Sequence, residues 1–147
     1  MLLLLFQSGC DRFALNVNQV VEVIPLVRLE RIPHAPECVA GVFNFRGEPT
    51  PVLDLNQMIS GRPCVERLST RIVLLDHWGQ EDKHRVIGLM AEQVTETIKC
   101  SEEAFHDIGV QTDDAPFLGG VTTDEQGMIQ LINVRHLIPE SVVNLDL

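Results

Sequence analysis

"MLLLLFQSGCDRFALNV", residues 1–17, opens the chain and admits two readings. Leu2 to Phe6 is a short apolar run, and Ser8-Gly9-Cys10 is a small-small-cysteine ending. One reading is a lipoprotein signal that anchors Cys10 in a membrane. Such a signal needs a basic start and an apolar core of about 7–15 residues. No Lys or Arg precedes Arg12, the run is shorter, and Gln7 stands where a cleavage site wants Leu. The other reading is a β-hairpin. A short, unbroken apolar run is the pattern of a strand buried on both faces. Ser8-Gly9-Cys10-Asp11 carries turn chemistry. Phe13, Leu15 and Val17 then alternate with Ala14 and Asn16, which describes a strand with one core-facing side. Residues 2–17 are read as a hairpin.

Working outward, 147 residues with 45% hydrophobic content can build one domain with a real core. No stretch approaches the ~20 apolar residues of a membrane-spanning helix. The formal charge of −10 argues against nucleic acid and against docking on anionic lipid. Cys10, Cys38, Cys64 and Cys100 form no CxxC or zinc-knuckle spacing, so free thiols are expected.

Strand signals dominate. Runs at 39–45, 50–55, 71–77, 85–91 and 128–132 are short, rich in Val, Ile and Leu, and separated by turns. One of those turns is Gly79-Gln80-Glu81-Asp82. The longest unpatterned stretch, 106–117, contains Asp113-Asp114 and reads as a mobile acidic surface loop. Asp54 to Ile59 reads as a short helix. Asp54 caps it, Gln57 follows three residues on, and Gly61 ends it.

That helix has a counterpart at Asn133 to Ile138, stopped by Pro139. Gly41 and Gly120, Asp54 and Asn133, and Ile59 and Ile138 are each 79 residues apart. A weaker echo relates Gln19-Val20 and Ile24 to Gln93-Val94 and Ile98, 74 residues on. The chain therefore reads as two related halves, each a few strands and a short helix.

Catalytic and cofactor motifs are sparse. No GxSxG elbow, phosphate-cradling GxxxxGK[ST] or HExxH helix is present. The five histidines are scattered, and Asp76-His77 reads as a strand end rather than an acid–base pair. Cys38 and Cys64 are the available nucleophiles, although cysteine more often serves as a small buried filler. No catalytic residue, metal ligand or cofactor is assigned.

The most distinctive segment is "GVFNFRGEPTPVLDL", residues 41–55. Together with "RFALNVNQVVEVI", residues 12–24, and "GGVTTDEQGMIQLINVRHLI", residues 119–138, it resembles the CheW family of chemotaxis coupling proteins. That family carries a GVxNxRGxxxPVxDL pattern after its first hairpin. The resemblance implies a mainly β fold of two intertwined five-stranded SH3-like barrels with a core between them, a single domain over 1–147. It implies a cytoplasmic, non-enzymatic adaptor. The implied partners are the regulatory domain of a CheA-like histidine kinase and the cytoplasmic tip of a chemoreceptor, with no nucleic acid and no membrane insertion. Carried over position by position, the partner-binding residues are Val20, Glu22, Gly41, Asn44, Arg46 and Gly47. Replacing the equivalents of Val20, Gly41 and Arg46 is associated with lost coupling. Glu22 is the expected partner of Arg46 within the domain.

The chain departs from the pattern in two ways. Phe43 and Phe45 stand where aliphatic residues are usual, which implies a bulkier receptor-facing surface. Pro49 adds to Pro51, and two prolines at i and i+2 remove two donors from one side of a strand, so an edge or bulge is expected there. Two readings from other classes compete: a small β-barrel enzyme with a Cys/His site, and a lipoprotein anchored through Cys10. The first needs a pocket where Cys, His and a carboxylate converge.

Overall fold

The computed structural model describes residues 1–78, 84–109 and 115–137. Nine strands are present among them: β1 (Leu2–Ser8), β2 (Asp11–Asn16), β3 (Val20–Pro25), β4 (Val39–Phe45), β5 (Glu48–Asp54), β6 (Arg71–Trp78), β7 (His84–Lys99), β8 (Leu118–Asp124) and β9 (Gly127–Ile132). One α-helix, α1 (Leu55–Ser60), and single 3-10 turns are the helical elements among the described residues.

The opening hairpin is there. Leu5 pairs with Ala14, and Phe6 with Phe13. Leu3, Leu4, Leu5 and Phe6 are all buried. Both faces of β1 are covered because Leu4 and Phe6 enter one apolar cluster while Leu3 and Leu5 enter another.

Strand pairing divides into two five-stranded groups. The first runs β3-β6-β7-β5-β4, and the second runs β7-β1-β2-β9-β8. The 16-residue β7 serves both. Its first part pairs with β5 and β6, up to Ala91, and its second part pairs with β1 from Glu92 onward. Each group closes through one isolated bridge, Glu30 with Val42 in the first and His106 with Val121 in the second. The result is two barrels, intertwined because the N-terminal hairpin completes the C-terminal barrel.

The two halves correspond as their sequences indicate. Strand β5 lies parallel to β7, and β9 lies parallel to β2 in the same relation. Ile24 pairs with Ile72, and its counterpart Ile98 pairs with Leu3. The sequence pattern stops the strand near residue 91, whereas β7 continues to Lys99. At the changeover Gln93 takes a positive φ of 52° and the register against β1 shifts. That bulge redirects one strand from the first barrel into the second.

Three apolar clusters follow. Val52, Ile72, Leu74 and Met90 fill the first barrel, and Leu3, Leu5, Ala14 and Ile129 fill the second. The largest lies between them and includes Phe6, Leu15, Leu53, Leu55, Val73, Leu89, Phe117 and Leu137.

The expectation of a loose acidic loop over 106–117 is corrected at both ends. His106 bridges to Val121, and Phe117 is buried in the inter-barrel core. Its apolar ring gains more from burial than the segment gains from freedom. Its acidic middle, the turn at 79–82, and Ile138-Pro139 lie outside the described residues. The expected edge at Pro49 and Pro51 is present: β5 meets β7 only from Val52 to Asp54, so the two prolines lie where β5 pairs with β4 alone.

Candidate functional site

Strands β4 and β5 are joined by Arg46-Gly47, a two-residue loop between the paired Phe45 and Glu48. Such a loop matches the twist of its strands when both central residues have positive φ. Arg46 has φ 51° and Gly47 φ 87°. Gly47 adopts this without strain, whereas an arginine pays about 1 kcal/mol for it. Asn44 secures the loop, its Oδ1 accepting from the Gly47 N–H at 2.8 Å.

The Arg46 side chain is 67% exposed. Its guanidinium carbon lies over the Phe45 ring, 4.7 Å from the centroid, within cation–π range. Its Nη2 donates to Glu22 Oε2 at 3.4 Å. With both partners this exposed, the ion pair contributes about 0–1 kcal/mol to folding. Phe45 is half-buried and packs on the edge of the first-barrel core beside Phe43, with ring centroids 6.2 Å apart.

The six residues singled out from the sequence thus fall into two groups. Glu22, Asn44, Arg46 and Gly47 form one exposed constellation. Val20 and Gly41 have other surroundings. Val20 is half-buried, pairs with Leu75 and packs against the inter-barrel core. Gly41 is buried where β4 meets Leu29 and Glu30 at the barrel closure. The Phe45 platform was not read from the sequence. The two-residue spacing between β4 and β5 was the available signal that Arg46 needs positive φ.

The equivalent turn of the second barrel, Asp124 to Gly127, is built differently. Arg12 of β2 clasps it, donating through Nη1 to Asp124 Oδ2 at 3.0 Å, through Nη2 to Asp124 Oδ1, and to the Gly127 carbonyl at 3.1 Å. This hydrogen bonding holds the Asp124 carboxyl below its ordinary value. The Arg12 side chain is only 12% exposed. One barrel therefore spends its arginine on an internal clasp, and the other presents it to solvent.

Cys64 and Cys38 are the two candidate nucleophiles. The Sγ of Cys64 lies 3.6 Å from the Met90 carbonyl, to which it donates. Burial, then the Asp54 side chain, pushes its thiol far above the usual range, so it stays protonated and is a poor nucleophile. Burial also raises the Cys38 thiol. Cys64 and Asp54 line a cleft of about 990 Å³, and the residues lining it include no histidine. Asp54 caps α1 as expected, its Oδ1 accepting from the Gln57 N–H at 3.1 Å. Its Oδ2 also accepts from the Cys64 N–H at 2.9 Å, which ties the loop after the helix to the barrel. Cys10 is exposed in the β1–β2 turn. The side chain of His77 lies outside what is described.

The CheW-like domain family matches residues 2–142. The "Chemotaxis protein CheW" of Rhizobium meliloti (strain 1021) is 28% identical over 93% of this chain and 86% of its own length. The "Probable chemotaxis protein CheW" of Rhizobium etli is 23% identical over 95% of this chain and 88% of its own. The crystal structure of the scaffolding protein TtCheW from Thermoanaerobacter tengcongensis superposes with a TM-score of 0.82 at 26% identity, covering 94% of this chain and 87% of that one.

Proposed function

The chain belongs to the CheW-like domain family, and from that premise we propose that it is a non-enzymatic adaptor coupling chemoreceptors of the methyl-accepting type to a CheA-like histidine kinase. Residues 1–147 act as a single domain of two barrels. The kinase contributes its regulatory domain, which by the family resemblance shares this fold, and the receptor contributes its cytoplasmic tip. The adaptor works in the cytoplasm. Among the described residues no helix is long and apolar enough to cross a membrane.

One observation carries the receptor side of this reading. Arg46 occupies a left-handed position that glycine or asparagine would fill at lower cost, and its guanidinium points to solvent. The fold gains little from an arginine there, so the residue is best accounted for by something outside the fold. A guanidinium offers a planar fork that binds a carboxylate at two points, which the ammonium of lysine cannot match. Glu22 orients it, and Asn44 and Gly47 hold the turn that carries it.

The test is a pull-down with the cognate receptor's cytoplasmic fragment. Arg46→Ala weakens receptor binding while a thermal melt shows the barrels intact. Arg46→Lys recovers part of the binding, and Glu22→Ala has a smaller effect in the same direction. Wild-type receptor binding by a folded Arg46→Ala protein overturns the assignment.

A further inference from the structure

We propose that Phe45 is a positioning residue that fixes the plane of the Arg46 guanidinium, so that this site selects a carboxylate presented edge-on by the receptor. The inference rests on the receptor reading of Arg46 and adds what that reading lacks, a reason for the aromatic beside it. Phe45 is anchored: it is half-buried, belongs to the rim of the first-barrel core, and meets Phe43 at an interplanar angle of 60°. A ring held this way cannot follow a mobile side chain. The guanidinium must come to the ring, and it does, at 4.7 Å.

Three surroundings then define the open direction. The Phe45 ring lies beneath the guanidinium carbon and blocks approach from that side. Glu22 engages Nη2 at 3.4 Å. The backbone of the Arg46-Gly47 loop, held by the Asn44 hydrogen bond, sets where the side chain leaves the chain. Among the described residues Arg46 makes no other ion pair. Its N–H groups lie in the guanidinium plane, so a ligand entering along the free edge meets a fork of donors. A carboxylate satisfies such a fork at two points, and an amide or hydroxyl does not.

The corresponding turn of the second barrel has Asp124-Glu125 in place of Phe45-Arg46, with Asp124 tied to Arg12. The arginine–phenylalanine pair therefore belongs to one barrel alone. An aliphatic residue at position 45, usual in the family pattern, would pack against the core equally well but has no ring quadrupole to hold a cation. The platform is thus a feature of this chain and bears on which receptors it accepts.

The experiment measures the affinity of the cognate receptor's cytoplasmic fragment by calorimetry, with thermal melts as folding controls. Phe45→Leu keeps the apolar packing and removes the quadrupole, and it is expected to bind about two- to fivefold more weakly. Phe45→Trp, or Phe45→Tyr where Trp disturbs folding, restores the affinity. In an Arg46→Ala background Phe45→Leu causes no additional loss, because nothing remains to be oriented. Unchanged affinity in Phe45→Leu beside a weakened Arg46→Ala overturns the platform alone and leaves the receptor reading standing. So does an equal loss from Phe45→Leu in both backgrounds, which would mean that Phe45 acts without Arg46. Wild-type affinity in Arg46→Ala overturns both.

Discussion

A Cβ added to Gly41 would lie 2.6 Å from the carbonyl oxygen of Glu30. That carbonyl accepts from the Val42 N–H at 2.8 Å, and the Glu30 N–H donates back to the Val42 carbonyl at 2.9 Å. Position 41 is therefore glycine because the first barrel closes there. The second barrel repeats the device more loosely: a Cβ on Gly120 would lie 3.2 Å from the His106 carbonyl. Gly41→Ala should lower stability by about 1–3 kcal/mol, the cost of forcing atoms into a packed site. Gly120→Ala should cost less. Urea denaturation of both variants checks the order, and an unchanged midpoint in Gly41→Ala would refute the closure argument. Any loss of coupling in Gly41→Ala is then expected to act through the fold and not through a lost contact.

Arg46 makes the opposite prediction. Arg46→Asn relieves the strain of an arginine at positive φ, since asparagine tolerates the left-handed region. The relieved strain of about 1–2 kcal/mol offsets the lost ion pair and the lost contact with the Phe45 ring, so stability should stay within about 1 kcal/mol of the parent. Receptor binding should fall in the same variant. A single substitution that separates the two readouts distinguishes a contact residue from a structural one.

The opening strand is tested by a charge. Leu4 is 8% exposed and packs in the core between the barrels. Leu4→Asp would bury a carboxylate with no partner, at a cost of several kcal/mol or more, a large share of the stability of an ordinary domain. Circular dichroism should show an unfolded or aggregated protein. A folded Leu4→Asp variant would contradict the placement of β1.

The Arg12–Asp124 clasp gives a pH dependence. The folded state holds the Asp124 carboxyl below its ordinary value of 3.8. A depressed folded value means that the stabilisation is present above the unfolded value and is lost as pH falls through the folded one. Asp124→Asn should therefore be less stable than the parent at neutral pH, and the gap should narrow as the medium is taken below about pH 4. Urea midpoints compared at neutral and acid pH read this directly. A gap that stays constant across the range would show that the carboxylate contributes no charge-dependent term.

Thiol reactivity should rank by burial. Cys10 is exposed, while burial raises the thiols of Cys38 and Cys64. The thiolate is the reactive species. Under native conditions near neutral pH an alkylating reagent should label Cys10 first and Cys64 only after unfolding, as peptide mass mapping would show. Rapid labelling of Cys64 in the folded protein would reopen its candidacy as a nucleophile.

What the amino-acid sequence settled by itself is what neighbouring residues decide among themselves. The apolar run Leu2–Phe6 and the alternation after it specify a hairpin because side-chain direction repeats every two residues along a strand. Asp54 caps α1 and Gly61, with φ 75°, ends it, because both act on backbone groups within one turn. The spacing of Gly41 and Gly120 exposed the two-part architecture because each half must close its own barrel. What only the tertiary structure decided depends on residues far apart in the chain. Strand β7 reads as ending near 91 because Glu92, Gln93 and Glu96 break its apolar pattern, yet it runs on because β1 offers a partner. Arg12 meets Asp124 across 112 positions, and Glu22 meets Arg46 across 24. Phe117 is buried although the stretch it closes, 106–117, carries no strand or helix pattern of its own. Local patterns choose helix, strand and turn through short-range hydrogen bonds and periodicity. Which strand lies beside which, and whether an arginine is consumed as a clasp or left on a phenylalanine platform, is set by packing that exists only once the two barrels have interlocked.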